Sequence, residues 1–472
     1  VIPVLLLALA LGVPTQDTGR FEIVLAGGRV MDPESGLDAV RHVGLARGRI
    51  AAISTTPLTG DVIIDVSGLV VAPGFIDLHA HAQNMESNRY QAMDGVTTAL
   101  ELEGGAWPVA EYYERRRGDA LIHFGASVSH GEIRRKVLDR AGSNYESADA
   151  SELSEMETML AAGLDDGGIG IGYSLQYYPG ASREEIYRMF RVGASRSVTN
   201  FIHFRYAGKT EPGSSVEAAH EMIANATALP ASVHIVHIGS SGLAQTPLIL
   251  NMIEGAQRAG VDITTEVYPY TAASTGIQAA IFDEGWRERF EADYDAIEWV
   301  VTGERLTEQT FAQYREQGGM VIAHVIPESA VDHAVAHPLV MIASDGVPFV
   351  EGRAHPRGQG TFARILGRYV RERGILTLME ALRKMSLMPA RRLEDSVPAF
   401  RLKGRLRQGA DADIVVFDPD TVLDRATFEE PAQFSTGIRH LTVGGTLVVR
   451  DGAIVDGVAP GMGIKRPKTV KD

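Results

Sequence analysis

From about residue 73 to about residue 403 the sequence alternates between short apolar runs and longer stretches with apolar residues three and four positions apart. Nine runs read as strands: GFIDLHAH, TTALELE, LIHFGASV, GIGIGYSL, TNFIHFRY, SVHIVHIG, VDITTEVYPY, GMVIAHVI and LVMIASD. Stretches such as SREEIYRMFRVGA and LTLMEALRKMSL read as the helices between them. Repeated strand–helix units run their strands parallel, and eight of them close into a (β/α)8 TIM-like barrel, an α/β fold. Nine runs are one more than closure needs, so one of them, an early one, is expected outside the barrel. Functional side chains then belong at the C-terminal ends of the strands.

The two ends of the chain have another texture. FEIVLAGGRVMD, HVGLARGRIAAIS and DVIIDVSGLVVAPG near the start, and GADADIVVFDP and RHLTVGGTLVVRDGAIV near the end, are short strands punctuated by Gly, Asp and Pro. Residues 21–72 and 404–465 are therefore expected to meet as one small β-sandwich domain, with the barrel over 73–403. The charged, aromatic stretch FDEGWRERFEADYDAIEWV marks an insertion around 277–317, expected to be helical and to cover the barrel mouth. Residues 1–20 open with VIPVLLLALALGVP, uncharged before Asp17. That run is shorter than the roughly 20 residues a membrane helix needs and suits the apolar region of a secretory signal. Export to the periplasm or medium is expected, with a cytoplasmic location the alternative if this segment is not a signal. No later stretch reads as a membrane span.

Composition narrows the chemistry. With 45 Lys and Arg against 60 Asp and Glu, the formal charge is −15, which argues against nucleic acid and acidic membrane as partners. There is no cysteine, so disulfides, thiolate metal sites, cysteine nucleophiles and iron–sulfur clusters are excluded. Any metal must be held by histidines and carboxylates.

Such groups occur where the barrel puts function. His79 and His81 are two apart at the end of the first strand, so both point to one face and offer half of a divalent-metal site. His203 and His237 end two later runs, and Asp345 ends the last. His234, three residues before His237, faces away from it on a strand and is read as structural. Glu101 and Glu103 alternate with Leu100 and Leu102, so the two carboxylates share a face; buried there without cations they would cost several kcal/mol. Either can bridge two metals, Glu103 being nearer the strand's C-terminal end. A carbamylated lysine is disfavoured, because Lys209 is the only lysine between Lys136 and Lys384 and follows His203 in a loop. One or two divalent ions, zinc first among them, are expected. Such an ion lowers the pKa of bound water towards about 7 and polarises a carbonyl, leaving Asp345 as general base and then acid. Hydrolysis of an amide or related C–N bond follows. Redox chemistry does not, since no Gly-rich dinucleotide loop is present.

From Phe21 to Pro467 the sequence resembles the amidohydrolase superfamily, and within it the D-aminoacylase (N-acyl-D-amino-acid deacylase) branch. The resemblance rests on LAGGRVMDPESG, VVAPGFIDLHAH, DGVTT, GYSLQYYPGAS, HFR, VHIGSSG, YPYTA, IASDG and, most specifically, HPRGQGTFARILGRYVRE and GADADIVVFDPDTVLDRATFEEP. It implies a barrel joined to a small β-sandwich, and hydrolysis of N-acyl bonds by metal-activated water. It makes His79, His81, His203 and His237 metal ligands and Asp345 the catalytic acid/base. Tyr177 is placed to polarise the scissile carbonyl. Arg357, Tyr270 and Ser274 are implied contacts to the substrate carboxylate, and His355 and Arg205 are implied to line the same mouth. The implied partner is a small N-acylated molecule, and a homo-oligomer is compatible with the sequence.

Three positions depart from the branch. Its bridging cysteine is replaced by Glu103 or Glu101, its lysine two residues after the strand-six histidine by Gly239, and the acidic residues after HxR by Tyr206 and Ala207. These changes leave hydrolysis intact and loosen the expectation of a D-amino-acid substrate in favour of a neutral or bulkier acyl amide. A cyclic amidase of dihydroorotase or hydantoinase kind, or an isoaspartyl-type dipeptidase, keeps the fold and changes the bond. A catalytically silent barrel used for assembly is the non-enzyme alternative, and the five retained His and Asp groups speak against it.

Overall fold

The structure, a computed structural model, is described over residues 20–468; the signal-like run at residues 1–14 lies outside the described residues. Eight parallel strands form the barrel: β1 (Phe75–Asp77), β2 (Val96–Ala106), β3 (His123–Ser129), β4 (Gly170–Ser174), β5 (Thr199–His203), β6 (Ser232–Ile235), β7 (Ile263–Val267) and β8 (Val340–Ile342). They pair in sequence order from β1 to β8. β3 and β5 are buried along their whole length, as parallel strands covered on both faces must be. The intervening helices bury one stripe. Arg183–Ser195, capped by the Ser182 hydroxyl accepting from the Glu185 N–H, packs inward through Ile186, Met189, Phe190 and Gly193.

Closure between β8 and β1 takes place beyond the strand ends. The Asp77 carboxylate accepts from the backbone N–H groups of His79 (3.1 Å) and Ser344 (3.0 Å), and Ala80 bridges to Gly346. That clasp places the residues after β1 beside those after β8, which is where the site forms.

The ninth run is a late one, not an early one. GMVIAHVI supplies Met320–Ala323, which pairs antiparallel with Ala273–Gly276 and Ile297–Trp299 in a separate three-stranded sheet between β7 and β8. A short apolar run carries no mark of which sheet will bury it. The insertion is correspondingly mixed rather than helical. It holds the short helix Trp286–Phe290, the strand Ile297–Trp299 and the helix Glu308–Gln317. Trp286 and Phe311 stack with centroids 5.2 Å apart and Phe282 meets both edge-on, so the aromatic residues pack the insertion onto the main core.

The two ends of the chain do meet. Phe21–Asp32 pairs with Leu37–Ala46, Gly60–Asp65 and Val70–Pro73, and Ile414–Phe417 joins antiparallel to Val70–Pro73. The result is one mixed sheet of nine strands, separate from the barrel. Among the described residues no helix is long and apolar enough to cross a membrane.

Candidate metal centre

Just beyond β1, His79 and His81 bring their Nε2 atoms to 3.1 Å from each other. From β2, the Glu103 Oε2 lies 3.3 Å from His81 Nε2 and 3.7 Å from His79 Nε2. The other Glu103 oxygen faces His203 Nδ1 at 3.6 Å and is buried with no hydrogen-bond partner. His203 Nδ1 in turn lies 3.0 Å from His237 Nε2. The Asp345 Oδ1 completes the group at 3.4 Å from both His79 Nε2 and His81 Nε2. Ligand atoms of His79, His81 and Glu103, and of His79, His237 and Asp345, lie within 4.8 Å of one another. His237 (φ 33°) and Asp345 (φ 51°) both adopt the left-handed region, a strain of about 1–3 kcal/mol each that the surrounding packing must hold.

The electrostatics are those of a site short of positive charge. Burial opposes a charged His79, yet the Asp345, Glu103 and Glu266 carboxylates raise its pKa to about 10. Burial likewise opposes a charged His81, and Glu101 with Asp345 overrides it. Burial would push the Glu103 and Asp345 carboxyls up, but the histidines, and Arg357 beside Asp345, hold both well below the ordinary range. His237 is different: burial, reinforced by His203, keeps it neutral with a pKa of about 3.

Comparison with known proteins gives this arrangement its family. Residues 189–449 match the amidohydrolase family. The D-aminoacylase of Alcaligenes xylosoxydans xylosoxydans is 32% identical over 483 residues, spanning 93% of this chain and 96% of its own. The chain belongs to the amidohydrolase family. The N-acyl-D-glutamate deacylase of the same organism is 30% identical over 478 residues, 91% of this chain and 94% of its own. Among solved structures, the N-acyl-D-glutamate deacylase of Bordetella bronchiseptica, complexed with zinc and a phosphonate inhibitor, superposes with a TM-score of 0.82 at 28% identity, over 95% of this chain and 100% of that one.

The residues of this amidohydrolase fit a divalent cation. Imidazole nitrogens face imidazole nitrogens, carboxylate oxygens crowd the same space, and the Glu103 Oε1 is buried without a hydrogen to accept. Nitrogen and oxygen donors of this kind suit zinc. Of the two glutamates, Glu103 faces the centre. Glu101 stands behind His81, both carboxylate oxygens 3.0 Å from its Nδ1, where it orients the ring. His237 is oriented by neutral partners instead, the Ser240 and Ser241 hydroxyls at 3.0 Å from Nδ1. Lys209 pairs with the exposed Glu291 and takes no part.

A cavity of about 470 Å³ opens onto the centre. Its lining includes His81, Glu103, His203, His237, Asp345 and Arg357 together with the apolar Ile281, Phe282, Phe290, Met320, Val325 and Val347. Tyr177 lines it, its hydroxyl 2.7 Å from Thr275 Oγ1 and its ring edge-on to His203. Ser274 lines it too, its buried Oγ without a partner. The Arg357 guanidinium lies over the Tyr268 ring with Nη1 2.9 Å from Asp345 Oδ2.

Three residues expected at the mouth stand elsewhere. Tyr270 lies beneath Arg364 and borders a second cleft with Asp424. His355 bonds the Ala272 carbonyl through Nε2 (2.9 Å) and accepts the Arg357 N–H at Nδ1 (3.1 Å), which seats the helix Arg357–Arg364. Arg205 makes a fork onto Glu221 at 2.9 and 2.8 Å and reaches the Ala181 carbonyl. Each is turned away because its polar atoms are already matched by the protein. Position 239, where the branch carries lysine, is Gly239 packed against Val267, and it presents no charge. The sequence reading missed Glu266 and Gln176. The Gln176 Oε1 lies 3.2 Å from His203 Nε2.

Proposed function

We propose that this amidohydrolase cleaves the N-acyl bond of an N-acylated amino acid, with Asp345 moving the proton. The reading is carried by one observation: Asp345, in the lining of the cavity, lies near His79 and His81 with one oxygen and meets Arg357 with the other. When bound, a divalent cation such as zinc supplies Lewis-acid polarisation of the amide and activates water at neutral pH. Held ionised by Arg357 and the histidines, Asp345 takes the proton that water loses on attack and returns it to the amine as the C–N bond breaks. Burial, with Glu103 nearby, raises the Tyr177 pKa, so its hydroxyl stays protonated and serves as a donor to the carbonyl oxygen. Arg357 and the unpaired Ser274 hydroxyl supply the groups for a substrate carboxylate. The apolar lining residues, among them Ile281, Phe282, Phe290 and Val347, take the acyl chain or an apolar side chain.

The D configuration is part of this proposal, supported by similarity to the D-aminoacylase and N-acyl-D-glutamate deacylase of Alcaligenes. Export belongs to it as well, supported by the uncharged apolar run at residues 1–14. A panel of N-acetyl and long-chain N-acyl derivatives of D- and L-amino acids, assayed with Zn, Mn and Co supplied separately, tests it. Release of free amino acid from the D series is expected; no release from any member overturns the reading.

A further inference from the structure

We propose that Glu266, on β7, is a positioning residue for the metal centre that fixes His79 in the one tautomer able to bind the cation. The inference rests on the reading of His79 as a ligand and adds a residue to it. Glu266 is 1% exposed, and among the described residues its ion-pair partners are two histidines alone. Its Oε1 lies 2.8 Å from His79 Nδ1 and its Oε2 3.2 Å from His234 Nε2. An ionised carboxylate only accepts hydrogen bonds, so each of those nitrogens must carry hydrogen. With its hydrogen on Nε2, His234 has a bare Nδ1, which accepts from the Thr264 hydroxyl at 2.8 Å. The hydrogens therefore run one way, from Thr264 to His234 to Glu266, and Glu266 draws the His79 hydrogen onto Nδ1. In the neutral, metal-binding form of the ring Nε2 is then the bare nitrogen, and it faces His81, Glu103 and Asp345.

The arrangement is the carboxylate–histidine–metal relay, in which the carboxylate sets ring orientation and raises ligand basicity. Among the described residues neither lysine nor arginine pairs with Glu266, so its carboxylate acts on the His79 and His234 rings alone. Glu266 touches neither cation nor substrate in this scheme and acts only through the ring.

The test measures metal rather than turnover. Metal-free wild type, Glu266→Gln and Glu266→Asp are titrated with Zn²⁺ against a chromophoric chelator, with thermal unfolding of each metal-free protein alongside. Loss of the carboxylate charge in Glu266→Gln is expected to weaken the first zinc by about 10–100-fold, while unfolding of the metal-free protein moves little. Glu266→Asp, which keeps the charge on a shorter arm, is expected to fall between. Affinity within twofold of wild type in Glu266→Gln overturns the role. A second readout needs no variant: ¹⁵N-histidine NMR of the zinc-loaded wild type is expected to show His79 bound through Nε2 with hydrogen on Nδ1, and the opposite tautomer overturns the proposal. Wild-type protein that binds no divalent ion overturns the deacylase reading itself, whereas unchanged binding in Glu266→Gln overturns only the positioning role.

Discussion

Two buried clusters of carboxylates and histidines lie at opposite ends of the barrel. At the N-terminal end, Asp413 meets His123 at 3.1 Å, the Gly444 N–H at 2.7 Å and the Lys403 ammonium at 2.6 Å. Lys403 also reaches Asp411 at 2.9 Å, and His123 Nδ1 accepts the Met462 N–H at 3.1 Å. Each charge there is answered by the protein, and the cluster joins the mixed sheet to the first residue of β3. At the C-terminal rim, Glu101, Glu103, Glu266 and Asp345 crowd around histidines with Arg357 as the paired cation, and one Glu103 oxygen has no partner. The same residue types thus make a structural joint where lysine completes them and a metal site where it does not. Burial of carboxylate is costly in both places; what differs is where the compensating charge comes from.

That contrast can be broken at several points. The largest effect is expected from Asp345→Asn, which keeps the side chain's shape and removes its basicity. Turnover should fall by about three orders of magnitude or more while metal content by elemental analysis is retained; near-normal turnover would remove Asp345 from the proton path. Next, Glu103→Ala should release metal, since the residue faces both histidine pairs. Unchanged stoichiometry in that variant, with loss in Glu101→Ala, would exchange the roles of the two glutamates. Tyr177→Phe should lower kcat by about 10²-fold, the scale for losing one hydrogen-bond donor to a developing oxyanion, with metal content unchanged.

The joint should respond in stability instead. Asp413→Asn weakens one partner of the buried Lys403 while Asp411 still pairs it, and is expected to cost about 1–3 kcal/mol in urea unfolding, with full metal content in the protein that remains folded. Its pH dependence has a definite sign. Burial would raise the Asp413 carboxyl, but Lys403 and His123 hold it well below the ordinary range. Its contribution is therefore present above the unfolded carboxyl value of about 3.9 and is lost as pH falls below it, so wild type and Asp413→Asn should converge in stability under acid. The smallest effect is expected on chelation, which should lower the thermal midpoint by a few degrees through loss of ligand binding to the folded state. Asp413→Asn should show the same chelator shift as wild type, because that cluster is already completed by Lys403.

Much of this was legible in the sequence because the responsible features are local. Strand–helix alternation predicts the barrel, the i, i+2 spacing of His79 and His81 predicts a shared face, and the matching texture of the two ends predicts that they meet, though as a sandwich rather than the single mixed sheet they form. What escaped depends on distant contacts. Met320–Ala323 reads like a barrel strand and differs only in the neighbours it finds. Tyr268 and Tyr270 share a motif, yet both follow the end of β7, so strand alternation no longer places them; Tyr268 lies under Arg357 and Tyr270 under Arg364. Glu266 in ITTEV reads as a polar interruption until the segment after β1 brings His79 to one oxygen and β6 brings His234 to the other. Glu101 and Glu103 were visible as a pair, but only the position of the His81 ring separates them.

Anomalous X-ray scattering at the zinc edge, from crystals of protein supplied with Zn²⁺, addresses the metal centre most directly. A peak is predicted at the rim, within coordination distance of His79, His81 and Glu103, with His237 and Asp345 beside it. Zinc bound elsewhere in an active crystal, with those five side chains free of metal, would contradict the account.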